Sequence, residues 1–348
     1  AKVNFLRTPY GAYLHRDIPN EDEELTHVGP GTPCGEYLRR FWQPIPIPLD
    51  KEDLTDLPVR VRLLGEDLVV FRDKSGRPGL LELHCSHRGT SLEFGLIEDT
   101  GIRCCYHGWL FGVDGKILET PGEPPDSTYK ERLCHGAYPV QEWNGMLFTY
   151  MGPPDKIHPF PMYDDFDEPG WTLAPGRREL IECNWLQIAD NVMDASHTAF
   201  LHTRSSGGQF FNETGEATQE FGEVGELDWI STPIGVAYVN TRRIGNEVWV
   251  RMSEINHPNL QQTPGNPVFP HTFADGETEK CFGLWFTKWI VPIDDTHVMS
   301  IHMTHILGKQ KKNYTDPVLG PSGGNNNDRP YEERQRNPSD YEAEISQR

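Results

Sequence analysis

"HCSHRGTSLEFGLIEDTGIRCCYHGWLFG", residues 84–112, holds three cysteines and three histidines in one short span. Two pairs stand out within it, Cys85-Ser-His87 and Cys104-Cys-Tyr-His107. Each offers one soft thiolate and one imidazole. A zinc finger groups its donors differently, with cysteines on one knuckle and histidines on a helix. One cysteine and one histidine on each of two loops can instead send both thiolates to one metal and both imidazoles to a second. A two-iron cluster with a two-cysteine end and a two-histidine end is held in this way, and the neutral imidazoles raise its potential. Gly89 and Gly108 follow the pairs, where backbone must pass close to such a cluster. A structural zinc site or a set of unligated buried thiols is the competing reading. His84 reads as a strand residue and Cys105 as a neighbour of the ligand Cys104.

Outward from this stretch, residues 36–151 are short strand-like runs broken by Gly, Pro and Asp, such as "VRVRLLGEDLVVFRD" and "MLFTYMG". This half reads as all-β. The Pro- and acid-rich residues 152–171 read as a linker. A helical pattern follows, "CNWLQIADNVMDASHTAFLH", then β-type runs "IGVAYVNTRRIGNEVWVRM", "CFGLWFTKWIVPI" and "HVMSIHMTHI". The fold class is therefore α+β. Domain bounds are expected at 1–35 (a leading segment), 36–155 and 156–348, with 308–330 a mobile loop. "NPSDYEAEISQR" reads as a helix start capped by Ser339. It breaks off inside the pattern, so the chain is expected to continue past Arg348.

The formal charge of −20 excludes nucleic acid and anionic membrane surfaces as natural partners. It suits a basic protein partner. No apolar run reaches bilayer length, and the first residues lack a signal-peptide core. Seven cysteines in 348 residues are too sparse for a secreted disulfide framework. A reducing, cytoplasmic location is expected.

A second constellation lies in the helical run, where Asn191, Asp194, His197 and His202 fall close together. Asp194 and His197 are three apart, which is one helical face. His197 and His202 are five apart, about 140° around an ideal helix. They can reach one metal only if the helix bends, bulges or ends between them. Ferrous iron that binds oxygen needs two histidines, one carboxylate and open positions.

The stretch "CSHRGTSLEFG…IRCCYHGWLFGVDGKILETPGEP" resembles the Rieske iron–sulfur domain of the ring-hydroxylating oxygenases. Asp194-x-x-His197-x-x-x-x-His202 resembles the mononuclear-iron segment of the same family. The resemblance implies a Rieske [2Fe–2S] domain followed by a catalytic domain of helix-grip type, an antiparallel sheet with helices. It implies Cys85, His87, Cys104 and His107 as cluster ligands and His197 and His202 as iron ligands. Asp194 becomes an acid that hydrogen-bonds a cluster histidine, His107 or His87, of a neighbouring subunit, and Asn191 joins it as a catalytic candidate. The family takes its third iron ligand from a late helix with an acidic start, which points to Asp340. Asp294, Asp295, Glu342 and Glu344 stay open, and Asp190 is a weaker rival to Asp194.

The implied function is that of a terminal oxygenase. Electrons come from an NAD(P)H-dependent reductase of flavin or ferredoxin type, and O2 oxidises a small aromatic substrate at Fe(II). The phthalate dioxygenase-like and demethylase-like subgroup forms rings of identical subunits, so a homotrimer is expected. Ring dioxygenation of an aromatic carboxylate leads, with monooxygenation or O- or N-demethylation as the alternative. A Rieske electron carrier without oxygenase activity is the reading from another class. A buried fork among Arg204, Arg242, Arg243 and Arg251 would favour a carboxylate. Phe200, Trp249, Phe282, Trp285 and Phe286 are candidate pocket aromatics, with core packing as the plainer alternative.

Overall fold

Turn chemistry shapes the first half of the chain. The computed structural model describes residues 21–48, 51, 54–163, 166–167, 169–205, 219–264, 271–272, 278–279, 284–307 and 329–347. Strands Val59–Leu63, Glu66–Arg72 and Pro78–Glu82 form a meander closed by Ala137–Tyr138. A second meander runs through Leu96–Glu98, Gly101–Arg103, Leu110–Phe111 and Ile117–Glu119. Phe71, Leu81, Leu83, Leu92, Ile102 and Phe111 fill the space between them, and Cys85, Cys104 and Trp109 belong to the same buried cluster. The cysteine loops thus project from a rigid core. A third small sheet joins Trp42–Pro44, Val140–Trp143 and Met146–Tyr150. The helix Pro33–Leu38, capped by Thr32, runs through the position where a domain start was expected.

The second half is one seven-stranded antiparallel sheet. Its order is Trp171–Ile181, His297–Leu307, Leu284–Asp294, Leu260–Pro264, Glu247–Asn256, Gly235–Ile244 and Glu226–Thr232. Directly paired residues in antiparallel strands point to one face, so the register sorts the side chains. Lys288 pairs with His302 and with Gln261, and Gln261 with Ile255. That face is covered by the helix Trp185–Met193, which buries Ile188, Ala189 and Val192. Asn184 starts the helix with a capping box to Gln187. Trp289 takes the other face and meets Phe148 and Phe166, with ring centroids 5.5 and 6.2 Å apart. This α+β architecture, a sheet-rich first half and a sheet gripped by helices, is the expected class.

Two expectations change. Residues 152–171 are no free linker: Phe160 and Phe166 pack on Trp143 at 5.6 and 4.6 Å. Prolines keep the segment out of regular structure while its aromatics join the core, so composition alone misread it. Asp194 and His197 do not share a helical face. The helix ends at Met193, and Asp194 is extended at φ −105°, ψ 104°. Most of the polar run expected to be mobile, 308–328, lies outside the described residues, as do Phe282 and the side chains of Arg204 and Trp285.

Candidate metal centres

The two cysteine loops are built alike. In the first, the Gly89 amide donates to the Cys85 carbonyl at 2.8 Å and the Cys85 amide to the Thr90 carbonyl at 2.9 Å. In the second, Gly108 donates to Cys104 at 3.0 Å and Cys104 to Trp109 at 2.9 Å. Gly89 and Gly108 adopt φ +71° and +72°, a left-handed geometry that glycine enters without steric cost. Each loop therefore returns on itself and presents its first and third or fourth residues to the same side.

Those residues meet. The Cys85 and Cys104 sulfurs are in hydrogen-bond contact, and both residues are buried. The rings of His87 and His107 lie 4.6 Å apart, and Trp109 stacks flat on His87 at 4.7 Å. Burial raises the Cys85 thiol, opposed by the His87 and Arg88 amides that donate to its sulfur. Such N–H···S bonds are what a thiolate bound to iron requires. Burial and the neighbouring His107 lower His87, which favours its neutral imidazole. His87 Nδ1 is buried and has no hydrogen-bond partner among the described residues. A buried imidazole nitrogen with that freedom is suited to a metal, so the donor set fits a two-iron cluster. His84 is exposed, its Nδ1 3.1 Å from the Gly89 carbonyl, and Cys105 is also exposed. Arg103 braces the second loop by donating to the Gly108 carbonyl at 2.7 Å and pairing with Glu98 and Glu119.

The downstream site forms where the helix breaks. After Met193, Asp194 Oδ1 accepts from the Ser196 amide at 2.7 Å, a turn that short polar side chains stabilise. A 3-10 turn, His197–Ala199, and a π-helical turn, Leu201–Ser205, follow. This irregular path closes the 140° gap, and π-turns mark functional positions in helices. His197 Nε2 and His202 Nε2 stand 3.2 Å apart. Asp340 Oδ1 lies 3.5 Å from the first and 3.2 Å from the second. Donors about 2.1 Å from one ion stand roughly 3–3.5 Å from each other in octahedral or tetrahedral shells. The three atoms have that spacing, and two imidazoles with one carboxylate suit iron(II).

Asp340 is delivered by the short helix Asp340–Ile345, whose cap, Ser339, exchanges hydrogen bonds with Glu342. Asn191 Nδ2 is 3.5 Å from Asp340 Oδ1. Burial would raise the Asp340 carboxyl, but the hydrogen bond and charge of His202, with His197 and Lys288, bring it down to about 2. Burial lowers His197 against the pull of Asp340, which favours the neutral imidazole a metal needs.

The rivals are engaged elsewhere. Asp294 pairs with Arg62 and His297, and Asp295 accepts from the Val28 amide at 2.9 Å. Glu342 is tied to Arg329 and Arg334. Glu344 is buried beneath the triad, its carboxyl pushed up to about 8 by burial and by Asp340. Among the described residues Asp190 forms no hydrogen bond or ion pair with the triad, and burial raises its carboxyl. Asp194 is half-exposed, its Oδ2 3.8 Å from His197 Nδ1.

Sequence reasoning missed Lys288, whose burial lowers it and whose charge faces Glu344, Asp340 and Glu179. Its place amid the apolar text "LWFTKWIVPI" was the available signal, since a lysine inside such a strand needs a partner. Of the pocket candidates, Arg242 is buried, Arg251 half-buried, Arg243 exposed and Phe200 half-exposed. A cavity of about 490 Å³ lies away from this chemistry, on the sheet's Trp289 face between Trp42, Phe160 and Leu260.

Residues 45–141 match the family described as Rieske [2Fe-2S] domain, and residues 181–316 match the Vanillate O-demethylase oxygenase C-terminal domain. The tert-butanol monooxygenase / tert-amyl alcohol desaturase oxygenase subunit of Aquincola tertiaricarbonis is 40% identical, across 98% of this chain and 74% of that one. The chain belongs to the Rieske oxygenases. The alpha subunit of phenoxybenzoate dioxygenase from Ectopseudomonas oleovorans is 38% identical to this Rieske oxygenase, over 97% of this chain and 80% of its own. Dicamba monooxygenase shares the fold at a TM-score of 0.65 and 17% identity, covering 89% of this chain and 87% of that one. As a Rieske oxygenase the chain carries a [2Fe–2S] domain, and the family also carries mononuclear iron and works with reductase or ferredoxin partners. No helix among the described residues is long and apolar enough to cross a membrane.

Proposed function

We propose that this Rieske oxygenase is a terminal oxygenase for a small aromatic substrate, with Cys85, His87, Cys104 and His107 as cluster ligands and His197, His202 and Asp340 as iron ligands. The observation that carries the reading is the convergence of three donor atoms from two remote segments, 3.2–3.5 Å apart. When bound, the cluster supplies single electrons and the ferrous ion supplies dioxygen activation.

The chain's own part is preparation. Desolvation favours the neutral imidazoles of His87 and His197, while Asp340, held down to about 2, favours its ionised form. Asn191 steadies Asp340 from the helix above it. The helix break gives His197 and His202 a common target. Asp194, half-exposed and next to the triad, is proposed to receive a cluster histidine, His107, from a second subunit of a homotrimer. It orients that imidazole and shortens the electron route. Domain bounds near 36–155 and 156–348 belong to the same proposal, as do a flavin- or ferredoxin-type reductase partner and a cytoplasmic location.

Relatives named for phenoxybenzoate, phthalate and dehydrodivanillate support a reading in which aromatic acids and ethers come first among substrates. The test is turnover with a surrogate reductase against a panel of aromatic acids, aromatic ethers and tertiary alcohols, with products read by mass. A hydroxylated or demethylated aromatic product is expected. Iron-loaded protein that oxidises tertiary alcohols alone would overturn the aromatic assignment.

A further inference from the structure

The sheet face under the metal helix carries two cations, Arg242 and Arg251, with no counter-charge among the described residues. On strand Gly235–Ile244, Asn240 and Arg242 point to one side, and the register sets Asn240 opposite Arg251 and Arg242 opposite Trp249. These four side chains share a face. It is the face that meets the iron-ligand segment. Trp229, across from Tyr238, donates its indole N–H to the Met193 carbonyl at 3.1 Å. Arg242 Nη2 is 3.4 Å from Oγ1 of Thr198, the residue after His197.

Arg242 is 3% exposed. Its partners are neutral: the Thr198 hydroxyl, the Glu220 carbonyl, and the faces of Trp249 and Phe221 at 5.1 and 5.9 Å. Its Nε is buried without a partner. Arg251 lies over Phe221 at 5.2 Å. Among the described residues, no carboxylate comes within ion-pair distance of either guanidinium. Between them Asn240 is 1% exposed, and neither its amide oxygen nor its amide nitrogen finds a partner.

Buried charges are ordinarily paired and buried amides ordinarily hydrogen-bonded, because the alternative costs several kcal/mol. Two such groups side by side, with half-buried Arg251 next to them in a chain of net charge −20, require an explanation that packing does not give. An acidic protein also repels an anionic substrate at long range, so it needs a local cationic pair to hold one. Trp249 and Phe221 supply the flat apolar wall on which an aromatic body would rest.

The geometry points to Asn240, Arg242 and Arg251 as the recognition site for an anionic group, a carboxylate or sulfonate, on the substrate of the iron centre. This assignment rests on the oxygenase reading of the neighbouring triad. Arg242 Nε and Asn240 Nδ2 offer inward donors, and half-buried Arg251 closes over the anion from the next strand.

The test measures affinities of the metal-loaded protein for benzoate, benzenesulfonate and neutral benzamide by calorimetry, for the native chain, Asn240→Asp and Arg251→Gln. Native protein is expected to bind benzoate and benzenesulfonate at least tenfold more tightly than benzamide. Asn240→Asp builds a carboxylate between the guanidiniums. It should keep or raise thermal stability, lose at least tenfold in benzoate affinity and leave benzamide unchanged. Arg251→Gln should lose benzoate affinity alone. Equal binding of benzoate and benzamide by native protein, or unchanged benzoate affinity in Asn240→Asp, overturns the assignment. Iron content and the cluster spectrum of the same samples judge the oxygenase reading separately, since protein with both metals and no anion preference refutes only this inference.

Discussion

Gly89→Ala and Gly108→Ala make a matched pair of perturbations on the two cluster loops. Both glycines hold nearly the same left-handed φ, +71° and +72°. An L-residue in that region costs about 1–2 kcal/mol. A methyl at Gly89 meets nothing within 4 Å, whereas one at Gly108 meets Pro121 Cγ at 3.0 Å. Gly89→Ala therefore carries the backbone cost alone, reduced by the roughly 0.4–1 kcal/mol that alanine recovers by restricting the unfolded chain. Gly108→Ala adds a contact that must displace the Pro121 side chain covering the second loop. The expected order is a loss of about 1 kcal/mol for Gly89→Ala and a larger loss for Gly108→Ala, with faster bleaching of the cluster by chelator in the second. Urea melts and the visible absorbance of the oxidised cluster read both quantities. Equal losses, or a greater loss at Gly89, would refute the loop geometry on which the cluster assignment stands.

Three further outcomes follow from the same contacts. His305 is 5% exposed, its Nε2 3.0 Å from Thr287 Oγ1, and burial lowers its pKa from 6.5 to about 4. The unfolded chain therefore takes up this proton first as pH falls, and stability declines from pH 6.5 down to about 4 by roughly 3 kcal/mol at about 1.4 per unit. His305→Asn should flatten that limb of the urea-stability profile, and an unchanged slope would mean that the histidine does not titrate this way. Asp194→Asn should keep both metals and slow product formation by about 10–100-fold, the usual cost of losing a carboxylate that orients a metal-bound histidine. Full activity with full metal content would remove Asp194 from the electron route. Arg103→Gln removes the brace on the Gly108 carbonyl and should destabilise the cluster loop while sparing the downstream iron, as iron analysis and the cluster spectrum can separate.

The cluster loops were legible because everything they need is local. Donors, return glycines and the stacking Trp109 fall within 26 consecutive residues, 84 to 109, so spacing alone nearly specifies the geometry. The pair His197 and His202 was legible as a problem: five-residue spacing demanded a break, and the 3-10 and π turns supply it. Asp194 was misplaced because three-residue spacing mimics a helical face, while the Asp-Ala-Ser turn that ends the helix is signalled only by side-chain competition for a backbone amide. Asp340 could be chosen over Glu342 and Glu344 only through family resemblance, since a helix cap says nothing about a partner helix 150 residues earlier. The pairing of Arg242 with Trp249 and of Asn240 with Arg251 depends on strand register, which alternation alone does not fix between two strands.

The central claim is that one iron sits among His197, His202 and Asp340 in addition to the two in the cluster. Iron per chain, counted by mass spectrometry beside the integrated spin of the reduced cluster, tests it most directly in native protein and in Asp340→Asn. The predicted result is three irons per native chain and two in the variant, with the cluster signal unchanged. Equal iron in both proteins, or a variant that loses cluster signal with its iron, would contradict it.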